Sequence, residues 1–301
     1  MRFWGAAGAT ALLGWLVTGT VGAAPPPTGG QAGGQLGRVL EAAFSPALRS
    51  SEPFFVLAVG SDARPGQAVE RTRADSLHVI GVNAQQGTAS IVGIPRDSYV
   101  PIPGAGSQKI NAALFHGGPE LTVRAVEQLT EIRIDAYVLA GFKGFSKMVT
   151  SVGGVRVTVP YPMNDPFSKA RFRPGPTRMD GPEALAFSRN RHDVPGGDFG
   201  RSLNQGRMIV AALRELRDDM RRDPVTLFRW LAAAGKYLRT DLSLDEMLDL
   251  LLASLSIDPA QVPNRVVSGG GGFVGGQSVV RLGSSARATF RDLRHDAILG
   301  G

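Results

Sequence analysis

The chain has no cysteine, which excludes a disulfide framework, thiol catalysis and thiolate metal sites. Histidine is scarce: positions 78, 116, 192 and 295 lie far apart and lack metal-ligand spacing, and His78 falls inside an apolar run, where a structural role is expected. No Gly-x-Ser-x-Gly elbow, Ser-x-x-Lys or His-Glu-x-x-His occurs, so three hydrolase templates are absent. Lysine is also rare. Only Lys109, Lys143, Lys147, Lys169 and Lys236 contribute to the 33 basic residues, so the formal charge of +7 is carried mostly by arginine. Arginine's planar donor fork suits phosphate and carboxylate. What the chain does have is apolar bulk: at 301 residues and 43% apolar, it can bury one large core or two smaller ones.

The start reads as an address. Met1-Arg2 precedes a charge-free stretch over 3–24, which ends in the small-residue site Val21-Gly22-Ala23. A cleaved signal peptide and a retained membrane anchor of about 20 apolar residues both fit, and both place the remainder outside the cytoplasm. Residues 25–50 read as a linker, Pro/Gly/Gln-rich as far as residue 37, with a short helix expected over 38–48.

The organising stretch is 54–97. Apolar runs over 54–59, 77–82 and 89–94 are bounded by glycine, proline and asparagine, which predicts three buried strands. A parallel crossover between the first two would need a dozen or more connecting residues, usually helical. Residues 61–74 are too broken by Pro65 and Gly66 for that. An antiparallel meander is therefore expected, and it puts Asp62, Asp75 and Arg96 at one sheet edge. A crossover would hold the two aspartates apart by a strand length, roughly 20 Å.

Downstream, a helix is expected from about Pro119, a strand over 134–140, a short helix over 142–149 and a strand over 155–159. Residues 160–180 read as a long functional loop or lid. A helix opening at Gly181-Pro182 and reaching Arg191 should follow, then a long helix from Asp198 to about Met220 that places Arg201 and Gln205 on one face. Helices over 225–238 and 244–255, strands over 265–267 and 278–282, and a final helix complete the pattern. The glycine-rich 269–276 lacks a following Gly-Lys-Ser/Thr, so it is not a nucleotide loop and reads as a flexible surface loop. Strands alternating with helices predict an α/β protein whose mixed central β-sheet is covered by helices on both faces. One domain over 51–301 is expected, with a motif-rich core over 53–210 and a helical and β part over 211–301.

Two constellations could carry chemistry. Asp62 and Asp75 offer hard oxygen ligands of the kind magnesium takes alongside water and phosphate, although either aspartate alone reads as a turn former. Arg96, Arg189, Arg191 and Arg201 could grip a pyrophosphate and stabilise charge on a phosphoryl group in transfer. The plain alternative is surface ion pairing with Asp97, Asp193 or Asp198.

Several blocks occur in one order: Gly60-Ser61-Asp62-Ala63-Arg64, Arg73-Ala74-Asp75-Ser76, Ile94-Pro95-Arg96-Asp97, Lys109-Ile110-Asn111-Ala112, Gly117-Gly118 and Val152-Gly153-Gly154-Val155. Gly181-x-x-Ala184-Leu185-Ala186-Phe187-x-Arg189-x-Arg191 and Asp198-x-x-Arg201-x-x-x-Gln205 follow. Together they resemble the LytR-CpsA-Psr family of bacterial envelope proteins over about residues 53–210. The resemblance implies an Mg²⁺-dependent phosphotransferase. Such an enzyme moves a glycopolymer from an undecaprenyl pyrophosphate carrier to peptidoglycan as a phosphodiester, at the cytoplasmic membrane's outer face and with no nucleic acid involved. It assigns Asp62 and Asp75 to the metal, and Arg96, Arg189, Arg191, Arg201 and Gln205 to the phosphates. It also implies an apolar tunnel for the lipid, with Phe54, Phe115, Phe142 and Phe145 as candidate lining. The family pattern has arginine where this chain has Asn204, and threonine at Ala74. Asp97 is open to two roles, general base or arginine orienter, and the second is favoured beside so many cations.

Three other readings compete. A polyprenyl pyrophosphate hydrolase would use the same site with water as acceptor. A transcriptional attenuator is disfavoured by export of residues 25 onward and by the lack of a helix-turn-helix. A non-catalytic glycopolymer-binding module would tolerate loss of both aspartates.

Overall fold

A computed structural model of the protein describes residues 52–64 and 66–300. The expected leader (1–24), the linker (25–50) and the helix over 38–48 lie outside the described residues. Among the described residues no helix is long and apolar enough to cross a membrane.

The meander is present. Strand β1 (Phe54–Ser61) pairs antiparallel with β2 (Ala74–Asn83), and β2 with β3 (Thr88–Gly93). Strand β2 starts three residues before its apolar run because Ala74 pairs with Ser61 across a bulge at Gly60/Ser61. A small hairpin, β4 (Tyr99–Ile102) and β5 (Gly106–Lys109), precedes helix α1 (Ala112–Thr130). That helix begins seven residues before Pro119 and breaks at Gly117 and Gly118. Gly118 has φ 71°, a left-handed value that glycine adopts freely. The break is where a proline at 119, lacking an N–H and clashing with the preceding turn, would force one.

Strand β6 (Ala136–Gly141) lies parallel to β1, and helix α2 (Phe142–Ser151) follows it directly. The 160–180 segment is not an irregular lid. Strand β7 (Val155–Val159) is joined through a short hairpin, β8 (Met163–Asp165) and β9 (Ala170–Phe172), to β10 (Gly175–Met179), which returns antiparallel to β7. These strands are three to five residues long, too short to show alternation between prolines.

Helix α3 (Gly181–Arg189) is started by a capping box between Asp180 and Glu183. It ends at Arg189; Asn190 is extended, so Arg191 lies in a loop and not on the helix as expected. Helix α4 (Asp198–Arg222) is the longest element. Helix α5 (Thr226–Tyr237), strand β11 (Arg239–Thr240), helix α6 (Leu244–Ser254) and strand β12 (Asn264–Val266) follow. The 269–276 segment is not the flexible surface loop expected. It forms β13 (Gly269–Val274), which turns through Gly275 and Gly276 into β14 (Gln277–Leu282) as a regular hairpin. Both turn glycines have positive φ, as a two-residue hairpin turn requires. The strand went unread because four glycines erase any apolar alternation. Helix α7 (Ser284–Asp296) closes the described chain.

The central sheet has the order β11-β6-β1-β2-β3-β12 and is mixed: β6 runs parallel to β1 and β12 parallel to β3, and the other pairs are antiparallel. Period-two alternation sorts its side chains. Phe55, Leu57, Val59, Leu77, Val79 and Val92 pack with α1 and α7 into a close core that includes Phe290 and Leu293. Val56, Ala58, Ile80, Val82, Ala89 and Ile91 face the other way, towards α2, α4, α5 and α6.

Candidate active site

On that second face the helices do not close onto the sheet. They enclose a cavity of about 410 Å³, lined almost wholly by apolar atoms. Its walls are the six strand residues just named, Phe142, Phe145 and Met148 from α2, Met208 and Ile209 from α4, and Trp230 and Leu250 from α5 and α6. At the C-terminal end of β1 it reaches Gly60, Asp75, Ser76, Ser188, Arg189 and Gln205. Asp75, Ser76 and Gln205 also border a small polar cleft with Arg96, Asp97, Asp198 and Arg201, so the apolar chamber and the charged cleft share a mouth.

The charges in the cleft come from four places in the chain. Asp75 opens β2, Arg96 and Asp97 follow β3, Arg191 lies after α3, and Asp198 and Arg201 sit in the first turn of α4. Arg96 Nη1 donates to Asp75 Oδ1 at 2.5 Å. Arg201 Nη1 lies 3.6 Å from the same oxygen. Asp198 gathers three guanidiniums: Arg96 at 3.5 Å, Arg201 at 3.5 Å and Arg191 at 3.6 Å. These distances exceed the 2.7–2.9 Å or so of a tight charge-assisted bond. Buried Nε atoms of Arg96 and Arg201 have no hydrogen-bond partner among the described residues. Leaving a buried donor unpaired costs about 1–3 kcal/mol, so the arrangement is one that an added anion would complete.

Arg201 is only 5% exposed. Burial holds its pKa below the ordinary arginine value; Asp75 and Asp198 oppose this, while Arg96 and Arg191 add to it. Burial also works against the Arg96 charge, but there Asp75, Asp198 and Asp97 prevail and raise the pKa. Asp97 is held in turn: Lys109 Nζ lies 3.2 Å from Oδ1, Asn111 Nδ2 donates to the same oxygen at 3.4 Å, and Arg96 Nε is 3.9 Å from Oδ2.

The expected residues therefore divide. Asp75, Arg96, Asp97, Arg191 and Arg201 form one network. Arg189 stands apart at the cavity mouth, its guanidinium 4.6 Å from the centre of the Phe142 ring. Gln205 also sits at that mouth and donates to the Ser188 carbonyl at 3.2 Å. Asp62 is at the expected sheet end, its N–H bonded to the Arg73 carbonyl at 3.1 Å, but its carboxylate joins neither the arginine network nor the cavity wall. Among the described residues, the Asp62 carboxylate and Asp75 Oδ2 accept no hydrogen bond or ion pair, so both remain open to a hard cation. No three His, Asp or Glu side chains there could cage a metal alone. A cation would take its other ligands from water and phosphate, as magnesium does.

Of the aromatic lining candidates, Phe142 and Phe145 face the cavity. Phe54 does not line it, and Phe115 is 56% exposed on the opposite side of the sheet. Asn204 is fully buried, donating to the Tyr161 hydroxyl and accepting from Arg207, so the position is tied to the β7–β8 region and not to the cleft. His78 is structural, as expected: buried, with Nε2 3.0 Å from the Ser202 carbonyl and Nδ1 3.0 Å from Ser76 Oγ. Asp198, offered by the sequence as an ion-pair partner and as the first residue of the Asp198-x-x-Arg201-x-x-x-Gln205 block but not as a site residue, is the hub of the arginines.

A mixed α/β fold with a greasy chamber capped by arginines and carboxylates defines a class, and the comparisons place the chain in it. The chain belongs to the LytR_cpsA_psr family, whose model matches residues 35–292. It is 34% identical over 209 residues to the polyisoprenyl-teichoic acid–peptidoglycan teichoic acid transferase TagU of Enterococcus faecalis, covering 68% of this chain and 67% of that protein. The Bacillus cereus protein of that name is 35% identical over 208 residues, 67% of this chain and 65% of its own length. The crystal structure of Bacillus subtilis TagV superposes with TM-score 0.72 at 27% identity, covering 84% of this chain and all of that one. TagT with bound octaprenyl pyrophosphate lipid superposes at 0.63 and 25% identity, covering 82% and 90%.

Proposed function

We propose that the protein is an extracytoplasmic phosphotransferase that moves a glycopolymer from an undecaprenyl pyrophosphate carrier to peptidoglycan. The observation that carries this reading is the shared mouth: one apolar chamber for a lipid chain opens at Asp75, Ser76 and Gln205 onto a cleft rich in guanidinium donors. A lipid-borne diphosphate is the ligand whose two halves need those two environments side by side. The relatives' names, and the octaprenyl pyrophosphate bound by TagT, support the same assignment.

In this reading Arg96, Arg191 and Arg201 hold the diphosphate while Asp198 keeps the three near one another, and Arg189 and Gln205 guide the diphosphate at the chamber mouth. The oxygens of Asp62 and Asp75 would hold Mg²⁺, which when bound supplies neutralising charge to the diphosphate. An acceptor hydroxyl of peptidoglycan attacks the phosphorus that carries the glycopolymer. The new P–O bond forms as the bridging P–O bond breaks, and polyprenyl phosphate leaves with the proton that the hydroxyl gives up. Phosphoryl transfer of this kind rests on positioning and charge stabilisation. Asp97, braced by Lys109 and Asn111, keeps Arg96 aimed.

Asp75→Ala and Arg96→Lys test the assignment. Arg96→Lys keeps a charge but loses the fork. Both should lower transfer at least about a hundredfold, with melting curves near those of the wild type. Transfer at the wild-type rate in either would refute the site. Release of free glycopolymer into water at the same rate with and without acceptor would favour the hydrolase reading.

A further inference from the structure

Arg191 is the least tethered of the three guanidiniums at Asp198. Arg201 sits buried in the first turn of α4, and Arg96, directly after β3, reaches Asp75, Asp97 and Asp198. Arg191 stands in the loop over 190–197 and makes one ion pair among the described residues, the 3.6 Å contact with Asp198. A side chain on a loop goes where the loop is fastened, so the anchors of 190–197 decide where this cation stands. Asn190 supplies none through its side chain: it is fully buried, and neither Nδ2 nor Oδ1 finds a partner among the described residues.

The polar side-chain anchors are the two residues after Arg191, and both grip the β8–β9 hairpin. His192 Nδ1 lies 3.2 Å from Asp165 Oδ2, and Asp193 accepts from the Asn164 N–H. Asp165 makes a firm post. Its carboxylate is fully buried and also accepts from the Phe167 N–H at 3.0 Å and the Ser168 N–H at 3.2 Å. An ionised carboxylate only accepts, so the nitrogen facing it carries the proton, and Nδ1 is the donor in the neutral ring as well as in the charged one. The His192 ring also packs on the Phe167 ring, with centroids 4.6 Å apart. Val194 then joins the buried cluster that contains Met163 and Ala170 of the same hairpin.

We propose that His192 is a positioning residue for the transfer: its bond to Asp165 fixes the loop on the β8–β9 hairpin and so stands the Arg191 guanidinium against Asp198 in the cleft. This deepens the transferase reading and rests on it for the role of Arg191 on the diphosphate. His192 borders neither the chamber nor the cleft, so it acts through its neighbour in the chain and not by touching the ligand. One planar peptide of about 3.8 Å joins the two Cα atoms, and a loop that slips at His192 carries Arg191 with it. A misplacement of about 1 Å at a reacting centre can cost about a hundredfold in rate.

The test is a double-mutant cycle in the full chain between His192→Ala and Arg191→Gln. It is read as kcat for transfer and as affinity for inorganic pyrophosphate, which lacks the lipid and so reports on the guanidiniums alone. His192→Ala should lower kcat about tenfold and weaken pyrophosphate binding about fivefold, with a melting temperature near that of the wild type because the side chain is half-exposed. In Arg191→Gln, which has already lost the guanidinium, the same change should alter either quantity less than about twofold. His192→Leu keeps bulk beside Phe167 without the donor and should lose as much as His192→Ala. His192→Asn puts an amide N–H where Nδ1 stands and should recover kcat to within about threefold of the wild type. A loss of the same size with and without the Arg191 guanidinium overturns the proposal, as does wild-type behaviour of His192→Ala or His192→Leu. Coupling seen in pyrophosphate affinity supports it even if the wild-type chain forms no link to peptidoglycan, a failure that would count against the transferase reading alone.

Discussion

Asp198 carries more of the site's geometry than its single position in the chain suggests. Three guanidiniums lean on one carboxylate at 3.5–3.6 Å, close enough to be held near one another and too far to be saturated. Asp198→Asn keeps the shape and removes the charge that opposes like-charge repulsion among Arg96, Arg191 and Arg201. The expected outcome is a fall in kcat of ten- to a hundredfold from misplaced donors, while the dissociation constant for the lipid donor changes less than about threefold. Equal losses in both would show that Asp198 matters for binding rather than positioning. At this scale the sequence was half legible. The arginines were visible as a set, and the plain reading of them as ion-pair partners of Asp97, Asp193 or Asp198 holds for Arg96, Arg191 and Arg201 with Asp97 and Asp198, where the same contacts that pair them assemble them. It does not hold for Arg189, which lies on Phe142, or for Asp193, which accepts from the Asn164 N–H. Asp198 itself looked like any acidic residue in a helix's first turn, where the helix dipole favours it in any protein.

The seam between β2 and α4 holds the cleft's two sides in register, and His78 is buried in it. Burial lowers the His78 pKa to about 4, partly offset by its bond to the Ser202 carbonyl. The unfolded chain takes up this proton near pH 6.5, the folded protein only near 4. The contribution is therefore complete above pH 6.5, declines as pH falls through that window, and is gone below 4, a total of about 3 kcal/mol. Denaturant unfolding at several pH values should show this fall, and His78→Gln should flatten it by about one proton. An unchanged slope in the variant would place the acid sensitivity elsewhere. Elements of this kind were easy to read where β-branched apolar runs meet turn residues, as in β1 to β3. They were lost where side chains vanish, as in the glycines of β13, or where strands are only three residues long, as in β8 and β9. The break in α1 was partly foreseen through Pro119; the turns before it were hidden by the paired glycines.

For the whole molecule the decisive asymmetry lies between the two faces of one sheet. The face under α1 and α7 is close-packed around Leu57, Leu77 and Phe290, whereas the face under α2, α4, α5 and α6 is hollow. Composition could not reveal this, because valine, isoleucine, leucine and phenylalanine line both, and a void depends on packing and not on residue type. If the hollow is the lipid's seat, filling it should improve the fold and abolish the fit. Ala58→Phe, in the middle of β1 and facing the cavity, should leave the melting temperature unchanged or raise it, since vacant apolar space is costly. It should also weaken binding of a long polyprenyl pyrophosphate at least about tenfold, with inorganic pyrophosphate unaffected. A variant that binds the long lipid as well as the wild type does would mean that the chain lies elsewhere. The most direct measurement joins chamber to cleft: incubate the full chain with a lipid-diphosphate-linked glycopolymer, Mg²⁺ and peptidoglycan, and follow the phosphorus. The account predicts a phosphodiester between polymer and peptidoglycan together with one released polyprenyl phosphate per link, absent in Arg96→Lys. Polymer appearing only free in solution, at a rate indifferent to peptidoglycan, would contradict it.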